Sequence, residues 1–387
     1  MRENFGRGPR ALTQIAFFGH DARDPAVQRR IGAFMRAGAE VCAFTMRRGA
    51  ETSPAWRNVD LGETRDAAFG QRIQALWRAR SRLRVHAQDF GRAELFYARN
   101  LDMLWLARWA RRMSASRARL VYECLDVHRF MTRGDALGAG MRALERSLLR
   151  EVDLVVVSSP AFASEYFDRF QPGRARTMLV ENRMPRGFDY GDRPRTPLRA
   201  DGALRIGWFG NLRCKRSLEL LLGAASALPD RVSIVMRGAP ARTELADFEG
   251  RIAAKSNASY LGRYAWPNDL AAIYEDVDVV WAGDFHDPGA NSKWLLPNRL
   301  YEGGYYATPP VAPRDCQTGR WIEDKGFGFT LPEPLERTLP EFLATISRDA
   351  VAHARARMQQ APEDVFVQPD DELQRVIEAA MSAPARD

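Results

Sequence analysis

Apolar residues fall in short, nearly continuous runs separated by segments of helical period. The first series is Ile15-Ala-Phe-Phe-Gly19, Val41-Cys-Ala-Phe-Thr-Met46, Leu95-Phe-Tyr-Ala98, Leu120-Val-Tyr-Glu-Cys124, Leu154-Val-Val-Val-Ser158 and Thr177-Met-Leu-Val-Glu181. A second series follows at Leu204-Arg-Ile-Gly-Trp-Phe-Gly210, Val232-Ser-Ile-Val-Met236, Ala258-Ser-Tyr-Leu261, Val277-Asp-Val-Val-Trp281 and Pro310-Val-Ala312. Runs without polar alternation predict strands covered on both faces, and the helical stretches between them (25–37, 101–113, 217–227) predict parallel crossovers. Helices are also predicted at 339–360 and 371–381. The fold class is α/β, with two Rossmann-like, doubly wound domains facing each other across a cleft. Residues 1–182 form the first domain. Residues 183–203, rich in Pro, Gly and charge and without period, are the linker. Residues 204–365 form the second domain, and 366–387 a last helix that returns to the first.

Composition narrows the class. No run of 18 apolar residues occurs, so no transmembrane helix is expected. Residues 1–10 are basic without an apolar core, so no signal peptide is expected. The four cysteines are far apart and form no C-x-x-C pair, which argues for free thiols in a cytoplasmic protein. Charge is divided along the chain. Residues 1–190 carry 33 Arg, no Lys and 21 acidic residues, a balance of +12, and residues 191–387 a balance of −4. A basic first domain suits an anionic membrane surface or a lipid-linked diphosphate. No nucleic-acid recognition module accompanies the charge. The helix 101–113 sets Trp105 and Trp109 among Arg108, Arg111 and Arg112, as a membrane-surface helix would; a core-packed helix with an arginine outer face fits the same pattern.

In open parallel sheets ligands bind beyond the carboxyl ends of strands. In the second domain, Gly210, Asn211, Arg213 and Lys215 follow a strand and lead into a helix, an arrangement suited to a phosphate. The stretch 291–304 reads as a loop feeding a helix that ends at Gly303-Gly304. Asn298, Arg299 and Glu302 give that helix an amide, a guanidinium and a carboxylate, the last a good acceptor for a vicinal diol. Together they indicate a nucleotide-sugar donor. In the first domain, Asp126 and His128 follow one strand, His20 and Asp21 another, and Arg99 and Asn100 a third. Asp126, with His128 or His20, is the candidate general base; Asp21, Arg99 and Asn100 are the acceptor candidates. A helix cap and surface side chains would also account for Asp126 and His128. Asp276-Val-Asp278 has a D-x-D form but opens an apolar strand, and no metal or other cofactor is assigned.

These pieces, in this order, resemble the GT-B glycosyltransferases, especially glycosyltransferase family 4. The resemblance rests on Gly207/Gly210 with Arg213 and Lys215, Tyr260-Leu-Gly262-Arg-Tyr, and Pro297-Asn-Arg-Leu-Tyr-Glu302 before the Pro-Pro-Val-Ala strand. It implies that the basic pair holds the donor diphosphate and Glu302 the ribose. The family's first glutamate, eight residues before Glu302, is here Trp294, which puts retaining chemistry in question. Gly19-His-Asp-Ala-Arg-Asp-Pro, Tyr97-Ala-Arg-Asn-Leu-Asp-Met, Tyr122-Glu-Cys-Leu-Asp-Val-His and Val157-Ser-Ser-Pro are similar to succinoglycan-type exopolysaccharide glucosyltransferases. That similarity implies transfer of glucose from UDP-glucose to a lipid-diphosphate-linked saccharide at the inner face of the plasma membrane, with inversion and Asp126 as base. A retaining transferase, a nucleotide-sugar epimerase or hydrolase, and a nucleotide-binding scaffold remain the alternatives.

Overall fold

The computed structural model describes residues 13–50, 53–64, 69–174, 176–193, 202–287, 289 and 291–384. Residues 1–10 and the middle of the expected linker, 194–201, lie outside them. The described residues form two all-parallel sheets. The first contains β1 (Thr13–Gly19), β2 (Ala39–Arg47), β3 (Arg57–Glu63), β4 (Leu95–Arg99), β5 (Arg119–Cys124), β6 (Leu154–Val157) and β7 (Thr177–Leu179), in the order β3-β2-β1-β4-β5-β6-β7. The second contains β8 (Leu204–Leu212), β9 (Val232–Pro240), β10 (Ala258–Tyr260), β11 (Val279–Trp281), β12 (Pro310–Pro313) and β13 (Phe329–Leu331), in the order β10-β9-β8-β11-β12-β13. Strand order reverses between β1 and β4 and again between β8 and β11, and such switch points open a crevice for ligands.

Period-two alternation divides each first-sheet strand between two cores. Ala16 and Phe18 of β1, Phe96 of β4 and Leu120 of β5 face one helical layer. Ile15, Phe17, Leu95, Tyr97 and Val121 face the other. That second layer includes the last helix, Glu372–Met381, whose Leu373, Val376, Ile377 and Ala380 recur at helical spacing and pack with the first domain. Just before it, the chain runs beside the exit of the first domain: Met184 N–H donates to Phe366 O and Gln368 N–H to Met184 O.

Three features differ from the sequence expectation. The edge strands β3 and β13 carry no apolar run: β3 reads RNVDLGE and is half-exposed, and β13 is three residues long. The helix expected over 339–360 is two helices, Leu335–Thr345 and Arg348–Gln360. Ile346 turns extended, and Ser347 caps the second helix by accepting from Ala350 N–H. Gly303-Gly304 do not end their helix, which runs Asn298–Tyr305. They permit close packing instead: a Cβ on Gly304 would lie 2.2 Å from the Phe366 ring, and one on Gly303 3.2 Å from Thr308 O.

Candidate active site

The carboxyl ends of β1, β4 and β5 border one cavity of about 770 Å³. His20, Arg99, Asn100, Asp126 and His128 line it, with Asn298 contributed by the second domain. Asp21 is not among its walls. That carboxylate is buried and accepts from Arg23 N–H and Arg48 N–H, which fixes the loop after β1.

His20 is oriented by a residue that sequence reasoning passed over. Its Nε2 lies 2.9 Å from Asp24 Oδ2. Asp24 also caps the helix Pro25–Arg36, with Oδ1 accepting from Ala26 N–H and Val27 N–H. Burial would raise the Asp24 carboxyl, but the His20 hydrogen bond and charge and the Ala26 amide hold it well below the usual carboxylate range. The Asp-Pro pair ahead of a helical stretch was the signal available for it. His20 Nδ1 is buried with no hydrogen-bond partner among the described residues.

Arg99 stands on a buried ion network. Its Nε is 2.7 Å from Glu123 Oε2, while Arg30 donates to Glu123 Oε1 at 2.9 and 2.6 Å. Against the cost of burial, the two guanidiniums hold the Glu123 carboxyl below its ordinary value. Arg99 Nη1 is buried and has no hydrogen-bond partner among the described residues, and the residue borders the cavity from beneath. Asn100 adopts φ 70°, uncommon for a non-glycine, and its Oδ1 is buried with no hydrogen-bond partner among the described residues.

Asp126 is exposed and reached from the second domain, with Asn291 Nδ2 donating to its Oδ1 at 2.8 Å. Val127 N–H returns a bond to Asn291 Oδ1 at 3.3 Å. His128 is not bonded to Asp126. Its Nδ1 accepts from Phe130 N–H, which leaves the neutral ring's proton on Nε2. Burial, then Arg129 and Arg72, lower its pKa. Trp294 belongs to the same cross-domain arm. Its ring meets Phe162 and Tyr166 edge-on or tilted, at 6.4 and 6.5 Å, and its carbonyl accepts from Ser159 Oγ. The side chain at the position of the family's first glutamate thus packs into the first domain.

In the second domain, Gly210 near the carboxyl end of β8 has φ 101°, and Gly238 approaches so closely that a Cβ there would lie 1.9 Å from Gly210 O. Asn211 and Lys215 are exposed and Arg213 half-buried at the mouth of the helix Lys215–Ala227, which Cys214 Sγ caps. Lys215 Nζ lies 3.9 Å from Glu219. Asn298 and Glu302 are one turn apart but do not share an environment. Glu302 is buried, accepting from Trp266 Nε1 at 3.2 Å and Tyr274 OH at 3.0 Å. These two bonds leave part of the carboxylate's acceptor capacity unused. Burial raises its pKa against the Tyr274 bond and the nearby Arg29 charge. Arg299 is turned inward, donating to Phe209 O at 2.8 Å, so it ties the helix to β8. Arg29, read in the sequence only as part of a helix, crosses the cleft with its guanidinium 5.2 Å over the Trp266 ring. Asp276 and Asp278 are occupied by Arg205 and Arg348.

Two doubly wound parallel domains with switch points facing a shared cleft constitute the GT-B architecture, and the chain has the GT-B fold. Solved structures of this shape include sucrose-phosphate synthase from Thermosynechococcus elongatus (TM-score 0.72, 16% identity, covering 96% of this chain and 100% of that one). Anabaena HepE in complex with UDP and glucose (0.65, 15%, 95% and 100%) and the lipopolysaccharide glycosyltransferase WaaG (0.63, 14%, 94% and 99%) also share it. No protein-family model matches the chain. The succinoglycan biosynthesis protein ExoL of Rhizobium meliloti (strain 1021) is 37% identical over 354 residues, 90% of this chain and 88% of that protein. The chain belongs to the ExoL family of succinoglycan biosynthesis proteins.

Proposed function

We propose that the protein transfers a hexose, glucose on the family resemblance, from a UDP-sugar to a lipid-diphosphate-linked saccharide in exopolysaccharide assembly, with inversion. The observation that carries this reading is the cavity, where Asp126, His20 and Arg99 converge from three strand ends beside the donor domain's Asn298. The acceptor hydroxyl gives its proton to Asp126 as its oxygen attacks the anomeric carbon, and the bond from that carbon to the β-phosphate oxygen breaks as UDP leaves. Arg213 and Lys215 meet the charge growing on the diphosphate without a divalent metal, and Glu302 holds the ribose diol. The HepE complexes hold UDP, UDP with glucose, and UDP-glucose. That supports a UDP-sugar donor here. Incubation with a panel of nucleotide-sugars and a synthetic lipid-diphosphate saccharide, followed by NMR of the new anomeric centre, tests it. A β-linked product from UDP-glucose is expected, and an α-linked product refutes inversion.

A second assignment of the base has its own observation, the His20–Asp24 pair, in which a carboxylate held charged orients an imidazole at the cavity wall. Under it, His20→Ala abolishes turnover and Asp126→Asn retains it.

The basic face reads differently in the structure than as free membrane charge. Arg108 and Arg112 pair with Glu151, and Arg80 stacks over Trp77, Trp105 and Trp109. No helix among the described residues is long and apolar enough to cross a membrane. Peripheral contact with the inner membrane face stays part of the proposal, resting on the basic balance of the first domain.

A further inference from the structure

The cavity is larger and more apolar than a sugar requires. Away from the strand ends it continues between three helices on one face of the first sheet: Phe69–Leu83, Leu101–Met113 and Ala136–Leu149. At the near end of the first two helices stand Arg72 and Asp102, ion-paired. One turn further along, the walls become Leu76 and Trp77 on one helix and Trp105 on the other. Met141 and Leu144 close the space from the third helix. Half-buried Leu76, Trp105 and Met141 leave apolar surface facing this open space, and covering such surface with an apolar chain removes it from water.

Its polar wall atoms ask nothing of that occupant. Glu145 is the acid on this side, and its carboxylate already accepts from Tyr166 OH at 2.5 Å, Gln171 Nε2 at 2.9 Å and Tyr122 OH at 3.5 Å. Burial raises its pKa, which favours the neutral form. The outer rim is apolar as well, with Trp77 56% and Leu144 45% exposed.

We propose that this apolar half of the cavity is a binding chamber for the isoprenoid or alkyl chain next to the diphosphate of the lipid acceptor. The chain threads between the three helices while the saccharide lies at the strand ends. This rests on the lipid-diphosphate acceptor reading above and extends it, since the lipid is then gripped inside the domain as well as by the membrane. The cation at the junction, Arg72, whose side chain stays partly open to the cavity, suits the diphosphate between the two halves.

The test is equilibrium binding by calorimetry, with farnesyl diphosphate below its micelle concentration and inorganic diphosphate as probes. The full-length protein should bind farnesyl diphosphate at one site at least tenfold more tightly than inorganic diphosphate. Met141→Trp, which fills the chamber, should remove that advantage while leaving UDP affinity within twofold, a control for folding. Equal affinity for the two probes, or a farnesyl advantage that survives Met141→Trp, overturns the chamber. The acceptor reading fails by a separate result: chain binding as described, but no sugar transfer to any lipid-diphosphate saccharide.

Discussion

Asp126→Asn isolates the proposed chemistry from the geometry that supports it. The carboxylate accepts one cross-domain bond, from Asn291 Nδ2 to Oδ1 at 2.8 Å. An asparagine keeps a carbonyl oxygen that can accept that bond, and the return bond from Val127 N–H to Asn291 Oδ1 does not involve the substituted side chain. The domains therefore stay pinned as in the parent, and the donor residues on the far lip are untouched. What is lost is the ability to take a proton. A positioned general base contributes roughly 10²–10⁴-fold, which at about 1.36 kcal/mol per tenfold is about 3–5 kcal/mol of barrier. The assay is steady-state transfer with UDP-glucose and a synthetic lipid-diphosphate saccharide, alongside UDP binding by calorimetry. Turnover should fall at least a hundredfold while KM for the donor and Kd for UDP stay within twofold. Near-parental turnover would refute Asp126 as base. A loss confined to donor KM would mean that the residue matters through domain closure instead.

Glu123→Gln leaves Arg30 and Arg99 buried without their counter-charge, and breaking such a network costs about 3–5 kcal/mol, readable as a lowered denaturant midpoint. The folded Glu123 pKa lies below its unfolded value, so its stabilisation is complete above the ordinary glutamate range and is lost as pH falls through the depressed value; the variant should show a flatter acid limb in stability against pH. Glu302→Ala should weaken UDP binding at least tenfold and, by stranding Trp266 N–H and Tyr274 OH, lower stability by roughly 1–3 kcal/mol; unchanged UDP affinity would remove the ribose role. Gly304→Ala drives a methyl into the Phe366 ring and should cost about 1–3 kcal/mol by thermal unfolding.

The apolar runs were enough to read the interior strands, because a strand covered on both faces must be apolar at nearly every position. Edge strands β7 and β10 were read as well, whereas β3 and β13 escaped because RNVDLGE is largely polar and FTL is too short to stand out as a run. Asp126, Arg99 and His20 were legible as strand-end residues, since parallel sheets gather their carboxyl ends at one rim. Asp21 occupies the same kind of place and turned inward, a distinction made by two backbone amides that pattern cannot foresee. Arg299 likewise looked like a phosphate ligand and instead bonds a strand carbonyl. Asp24 carried an N-cap signature, but its bond to His20 depends on the loop's path. Arg29, Trp266 and Glu302 are far apart along the chain and meet only because two domains close on each other.

The sequence by itself determined the two-domain parallel architecture, the family, and which loops face the cleft, because local period and strand-end position are encoded residue by residue. Only the tertiary structure decided which of those side chains border the cavity and which are spent on the protein. It also decided that Trp294 anchors one domain in the other, and that three helices leave an apolar space beside the strand ends. Those outcomes depend on burial and on partners distant in the chain, and no local pattern records a partner.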